Sequence, residues 1–235
     1  MTNKEKIGAK KESVTPQKKS FVAKTITFFT KYNKIVYGVI IGILIVITAL
    51  LAFNRFYLTP NSEKASLMIL KPIEKFMVGD SASVLIALEG DDEFDGFLSI
   101  AKRYSLTKTA NTANYFAGLC YLKLNDKEEA LKYLLKFKHK DEVHWYACQA
   151  VIGDIYDDLG DTKKALKYYE SAVDGDNDPY FTPISLFKLG QMYEREEQWE
   201  KAIESYTRIE KDYYTEYANM GVSRFVDRAK AKLNK

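Results

Sequence analysis

The stretch Gly153–Val173, GDIYDDLGDTKKALKYYESAV, decides the fold of this chain. Gly153 is followed three residues on by a tyrosine and twelve residues on by an alanine. The same pattern occurs on both sides of this stretch, and its three instances are Gly118–Tyr121–Ala130, Gly153–Tyr156–Ala165 and Gly190–Tyr193–Ala202. The glycines are 35 and 37 residues apart, and a period of about 34 residues is typical of stacked helix–turn–helix units. Such units present a long open surface, so the pattern predicts a protein that binds and does not catalyse.

Three pairs of helices are predicted around these glycines. The pairs are residues 111–124 with 127–137, 145–159 with 162–174, and 183–195 with 199–211. In each pair the glycine lets the two helices approach closely, and the alanine twelve residues on is expected to meet it. A last helix over residues 216–233 ends in Arg228, Lys230 and Lys232, so it would form a polar cap for the stack.

These positions resemble the tetratricopeptide repeat (TPR) family. Its helix–turn–helix unit has small residues and aromatics at fixed positions, and the second unit here matches at Gly153, Tyr156, Ala165, Tyr169 and Ala172. The chain departs from the family at Phe137 and Ile209, where a small residue is usual, and Trp145 and Trp199 do not hold the family's common tryptophan position. The resemblance implies an α-solenoid that acts as a protein-interaction scaffold.

Near the N-terminus, residues Ile35–Phe53 carry no charge, and Asn54 extends the uncharged run to 20 residues. About 20 apolar residues in a helix span the hydrocarbon core of a bilayer. A buried core helix and a cleaved signal peptide are the alternatives. The run is longer than a signal-peptide core and leaves through bulky residues, Phe56 and Tyr57, so an uncleaved membrane anchor is favoured.

The charges on the two sides of this span differ in sign. Residues 1–34 hold nine lysines and two glutamates, whereas residues 56–235 hold 25 basic and 30 acidic side chains. The positive-inside rule therefore predicts a cytoplasmic N-terminal arm and an exported C-terminal domain. Apolar residues from Phe21 to Tyr32 share one helical face, which suggests an interfacial helix within the arm. A nucleic-acid-binding arm is the weaker alternative, since proximity to the membrane already accounts for the lysines.

The predicted fold is therefore all-α, a single N-terminal transmembrane helix followed by a TPR-like α-solenoid with a C-terminal capping helix. The membrane-proximal region resembles a degenerate repeat. A helix is predicted to start near Glu63 after a cap at Asn61 or Ser62, with a kink or break at Pro72. Further helices are predicted over residues 81–88, whose apolar run would also suit a strand, and over residues 93–104. The predicted boundaries are 1–34 for the basic arm, 35–54 for the transmembrane helix, 55–109 for the membrane-proximal region, 110–216 for three repeats, and 217–235 for the capping helix.

A basic arm, one span and a small exported repeat domain resemble, in layout more than in motif residues, the YfgM-like proteins. That family is associated with the SecYEG translocon and with periplasmic chaperones at the bacterial inner membrane. The resemblance implies a periplasmic repeat domain whose partners are the translocon, chaperones or exported chains, with membrane lipid around residues 35–54 and no nucleic acid. A mitochondrial import receptor with a cytosolic repeat domain is the alternative.

In the TPR family the first helix of each unit lines a binding groove. Counted from the unit starts, the expected groove residues are Tyr115, Leu119, Leu122, Asp154, Asp157, Asp158, Phe187, Gln191, Glu194 and Arg195. An apolar end that passes into an acidic patch would suit an extended segment with hydrophobic and basic residues, although an ordinary solvated face is an equal alternative. The family's carboxylate clamp needs lysine and asparagine where this chain has Tyr115, Leu119 and Asp154, so the clamp is absent.

Other candidate chemistry is sparse, and no cofactor is expected. The acidic loop over residues 89–96 roughly fits half of an EF-hand, but Lys102 stands where a bidentate glutamate is required, so neither a metal sensor nor an enzyme is favoured. His139 and His144 are too few for a zinc site. Nucleophile-elbow, phosphate-loop and dinucleotide motifs do not occur. Cys120 and Cys148 are expected to be buried free thiols.

Overall fold

The computed structural model describes residues 33–138, 144–175, 178–213 and 221–234. The chain divides into two compact units, Met1–Tyr57 and Leu58–Lys235. The basic arm and its expected interfacial helix, apart from the last two residues of the arm, lie outside the described residues. Within the described residues regular structure is helical and extended pairing is limited to one bridge, between Gly90 and Asp95, so the predicted all-α class is confirmed.

In the first unit, helix α1 (Asn33–Phe53) contains the apolar run. Its large apolar side chains are exposed, from 46% at Ile40 to 64% at Ile35. An 18-residue window of the helical stretch that begins at Tyr37 has a mean hydropathy of 2.4, so this stretch is long and apolar enough to cross a membrane. The buried core helix that the sequence left as an alternative does not fit these exposed side chains.

The backbone stays helical after the span, and this corrects one expectation. A π-helical turn, Asn54–Leu58, leads directly into α2 (Thr59–Met68), which has no side-chain cap. Asn61 and Ser62 therefore lie inside a helix and do not start one. In a regular α-helix the Pro60 ring would clash with the carbonyl of Phe56. Phe56 lies within the π-helical turn, which is wider than a regular α-helical turn. The break expected at Pro72 occurs three residues earlier, at Ile69, because α2 ends at Met68 and α3 (Leu70–Val78) contains Pro72 in its first turn.

The second unit continues with α4 (Ser81–Glu89) and α5 (Phe97–Arg103). Helix α5 begins four residues later than the sequence predicted, because the side chain of Asp91 accepts hydrogen bonds from the backbone N–H groups of Glu93 and Phe94 and holds these residues in a turn. Helices α2, α4 and α5 pack on α6 (Lys108–Lys123). Phe116 of α6 lies 5.3 Å from Phe97 and 5.5 Å from Phe76, measured between ring centroids.

The repeat helices follow the predicted pairs within about three residues at each end. Helix α6 pairs with α7 (Lys127–Leu134), α8 (Trp145–Asp158) with α9 (Thr162–Val173), and α10 (Phe181–Arg195) with α11 (Trp199–Asp212). The last helix, α12 (Ser223–Leu233), packs on α11. The expected start of that helix near residue 216 lies outside the described residues.

Each repeat glycine faces a large side chain that lies sixteen residues later. A Cβ placed on Gly118 would be 2.5 Å from Leu134 Cγ, one on Gly153 would be 2.9 Å from the Tyr169 ring, and one on Gly190 would be 2.5 Å from Tyr206 Cε1. The alanine that was expected to meet the glycine is among the three nearest neighbours only in the first unit, where Ala130 O lies 3.1 Å from the Cβ placed on Gly118. The glycine is needed because a bulky side chain of the second helix lies directly against its backbone.

Candidate functional site

The second unit has a groove of about 650 Å³ between its last two repeats and the C-terminal helix. Five of the expected groove residues line it, namely Asp154, Asp157, Gln191, Glu194 and Arg195. The rest of the lining consists of Tyr169, Lys188, Met192, Trp199, Arg228 and Lys232. Helices α8 and α10 therefore bring together the residues that the sequence assigned to the second and third units.

Asp154 is held by two partners from later in the chain. Its carboxylate accepts hydrogen bonds from Lys188 Nζ at 2.5 and 2.7 Å, and from the Tyr169 hydroxyl at 2.6 Å. Burial raises the pKa of Tyr169, and the hydrogen bond to the Asp154 carboxylate raises it further. The tyrosine is therefore a neutral hydrogen-bond donor at physiological pH, and Asp154 is paired with Lys188.

The other two acids in the groove are paired as well. Arg195 Nη2 donates to Asp157 at 2.5 Å, and Arg228 contacts Glu194 through Nη2 at 2.5 Å and through Nε at 3.3 Å. The hydrogen bond to Glu194 raises the pKa of Arg228. The lining thus holds three carboxylates and four cations, and the acidic patch expected from the sequence is neutralised within the chain.

The remaining predicted residues do not line this groove. Tyr115 is 7% exposed in the core, stacked at 4.9 Å on His144, and burial raises its pKa to about 12. Leu119 and Leu122 are half-buried against neighbouring core side chains. Phe187 packs on Phe225 of α12 at 4.8 Å, and Asp158 pairs with Lys127 at 2.9 Å.

Sequence reasoning missed two sets of residues around the groove. Lys188, Arg228 and Lys232 supply cations, and Tyr180, Phe181 and Ile184 form an exposed apolar cluster on the same face of α10. Ile184 is the second residue of the predicted third unit. If the predicted first helix of that unit had begun one turn earlier, it would have included the cluster. The cations of α12 had been assigned only to a polar cap.

The acidic loop and the cysteines have structural roles. Asp95 forms a two-pronged ion pair with Arg103, at 2.6 and 3.2 Å, while Asp91 closes the turn before α5. In the part of the chain that the structure describes, no three His, Cys, Asp or Glu side chains are placed to hold a metal ion. His139 lies outside that part. Cys120 and Cys148 are free and buried as predicted, and burial raises the pKa of each thiol to about 12.

Comparison with known proteins agrees with this architecture. The tetratricopeptide repeat family matches residues 151–214 and residues 112–137. TPR-like repeats from a Podosopora anserina protein described as a kinesin light chain have a similar structure, with 12% sequence identity and a TM-score of 0.54 over 72% of this chain and 88% of theirs.

The structure of MamA aligns with 16% identity and a TM-score of 0.46, over 69% of this chain and 94% of MamA. No curated protein matches the sequence. At 12% identity the Podosopora anserina repeats show the fold alone, whereas the family matches fall on the repeats themselves. The chain therefore contains tetratricopeptide repeats, a fold typical of non-enzymatic protein-interaction scaffolds.

Proposed function

We propose that this protein is a membrane-anchored interaction scaffold on the outer face of the bacterial inner membrane, where it assists protein translocation or periplasmic chaperoning. The observation that carries the proposal is the groove of about 650 Å³ in a TPR unit that follows an exposed apolar helix in the same chain. The partners are proteins, and neither catalysis nor a cofactor is part of the function.

The charge distribution supports the orientation. The nine lysines of residues 1–34 precede the apolar run, while the segment after it is net acidic. Lysine-rich segments next to a span stay in the cytoplasm, so the TPR unit is exported. The YfgM-like layout supports the translocon SecYEG, periplasmic chaperones and exported chains as the class of partner.

The binding claim is tested by site-specific photo-crosslinking in intact cells. A photoreactive phenylalanine analogue at Gln191, which is exposed in the groove, is expected to capture a translocon subunit, a chaperone or an exported chain. The matched control carries the analogue at Lys163, which is exposed on α9 and does not line the groove. Equal capture at both positions, or capture at neither, would contradict the proposal.

The topology is tested separately with a C-terminal epitope tag and added protease. Protease outside spheroplasts is expected to remove the tag, because the TPR unit is exported. A tag that is cut only after the membrane is opened places the repeats in the cytoplasm, as in the import-receptor alternative. Extraction by alkaline carbonate tests the anchor itself, since a protein held by a span stays in the membrane pellet.

A further inference from the structure

One face of α10 changes from apolar to charged along its length. Tyr180, Phe181 and Ile184 are 71%, 50% and 45% exposed. Lys188, Gln191 and Arg195 follow Ile184 at intervals of four, three and four residues, so they lie on the same helical face. These three residues line the groove, and the apolar cluster therefore extends the groove by one to two helical turns.

The side chains of Phe181 and Ile184 are half-exposed and do not belong to the buried core around α10. Buried residues of α10, such as Leu186 and Leu189, supply its contact with the core from the other side of the helix. Bulky apolar side chains that are exposed together at the end of a polar groove are a common feature of interaction sites. A ligand that lies along α10 would cover them.

The charges in the groove favour an acidic ligand. Each of the three carboxylates already holds a lysine or arginine, so a basic ligand would have to displace an existing pair. Within the described residues, Lys232 has no carboxylate partner, and Arg195 uses only Nη2 in its hydrogen bonds. The Nε and Nη1 groups of Arg195 and the ammonium of Lys232 can therefore donate hydrogen bonds to a new carboxylate.

We propose that the groove binds an extended polypeptide segment in which one or two bulky apolar residues are separated by about five residues from a carboxylate. The apolar residues contact Tyr180, Phe181 and Ile184, and the carboxylate contacts Arg195 and Lys232. This proposal rests on the proposed scaffold function and reverses the ligand charge that the sequence alone suggested. The sequence shows the acidic residues of α8 and α10, but it does not show which lysine and arginine side chains pair with them.

The spacing follows from the helix. Ile184 and Arg195 are eleven residues apart, which is about 16 Å along the axis at ~1.5 Å per residue. An extended segment covers about 16 Å with roughly five residues at ~3.3 Å each. A helical ligand would need about eleven residues for the same distance, so spacing in the ligand separates the two binding modes.

Fluorescein-labelled peptides test the proposal with the full chain in detergent micelles, read by fluorescence anisotropy. The first probe has a leucine and a phenylalanine, four glycine and serine residues, and two aspartates, and it is made in both chain directions. A second probe replaces the aspartates by lysines, and a third replaces the apolar pair by serines. In its better direction the first probe is expected to bind about tenfold more tightly than the second and the third.

Variants of the protein locate the contacts. The double variant Phe181→Ser/Ile184→Ser is expected to weaken the first probe about tenfold, whereas Leu159→Ser, at a site that is 53% exposed away from the groove, leaves it unchanged. Lys232→Glu is expected to weaken the first probe about threefold and to strengthen the lysine probe, because an exposed charge pair contributes little. Circular dichroism of each variant verifies that the helices are retained.

Three outcomes overturn the proposal. Binding of the lysine probe as tight as that of the aspartate probe removes the acidic preference, and an unchanged affinity in the double variant removes the apolar contact. Absence of binding by all three probes also overturns it. The scaffold function is judged independently by crosslinking at Gln191, which uses the cell's own partners and no designed peptide.

Discussion

Replacing Gly190 by alanine tests how the repeats are packed. The added Cβ would lie 2.5 Å from Cε1 and 2.7 Å from Cζ of Tyr206. The Tyr206 side chain is fully buried, with its ring against Phe187 and Phe225, so it has no room to move away. Overpacking of this kind costs about 1–3 kcal/mol, and the upper end applies to a ring that is enclosed on all sides.

The alanine also has a favourable effect, which sets the net value. Alanine in a helix interior is about 1 kcal/mol more favourable than glycine. Gly190→Ala is therefore expected to lower the free energy of unfolding by about 2 kcal/mol and to lower Tm by about 4–8 °C. The measurement is urea and thermal unfolding of the full chain in detergent, followed by the fluorescence of Trp145 and Trp199, which lie in the repeats.

A double-mutant cycle tests the stated cause. Tyr206→Ala removes the ring, so adding Gly190→Ala in that background is expected to be neutral or to stabilise by up to about 1 kcal/mol. Gly153→Ala, whose Cβ would lie 2.9 Å from the Tyr169 ring, is expected to cost less than Gly190→Ala. If Gly190→Ala lowers the free energy of unfolding equally in both backgrounds, the reasoning is refuted. It is also refuted if Gly190→Ala stabilises the wild-type protein.

Three further outcomes are expected in the same unfolding assay. Glu197 has a φ of 56°, a left-handed conformation that costs a non-glycine residue about 1–2 kcal/mol. Glu197→Gly should therefore stabilise the protein by about 1 kcal/mol, and a loss of stability would contradict this expectation. Gln198 makes no side-chain cap whereas Asp161 caps the equivalent helix, so Gln198→Asp should add about 1 kcal/mol, and no change would show that the cap does not form. Burial raises the pKa of Cys120 and Cys148 from 9.0 to about 12, so stability should fall from about pH 9 to 12 as the unfolded chain loses thiol protons that the folded chain keeps. Cys148→Ala should reduce this fall, and an unchanged pH dependence would contradict the assignment.

The repeat fold could be predicted because its determinants are local and periodic. Gly153, Tyr156 and Ala165 recur at fixed spacing, and the turn residues between paired helices lie next to one another in sequence. The apolar run of α1 is likewise legible from 20 consecutive residues. Boundaries were less predictable where a single residue alters the local backbone, as at Pro60, or where Asp91 holds a turn that delays the start of α5.

The candidate site was harder to predict because its electrostatics depend on distant residues. The cationic partners of Asp154, Asp157 and Glu194 lie 34, 38 and 34 residues away in the chain. Each pair is separated by about one repeat period, so each joins a helix to its equivalent in the next unit or to α12. A count of acids on one helix cannot show that a cation from the next helix cancels them.

This arrangement divides the groove residues into two groups with different tasks. Lys188 and Arg228 each hold a carboxylate of a neighbouring helix, so they fix the spacing of the helices that form the groove walls. Such half-exposed pairs contribute little stability individually, but they occupy the acids that a basic ligand would need. Ligand recognition is left to Phe181 and Ile184 of the apolar cluster, to the ammonium of Lys232, and to the Nε and Nη1 donors of Arg195, which its pair with Asp157 does not use. A period of about 34 residues thus accounts for both the stacking of the repeats and the neutralisation of their acids, and ligand preference follows from the residues that this pairing leaves over.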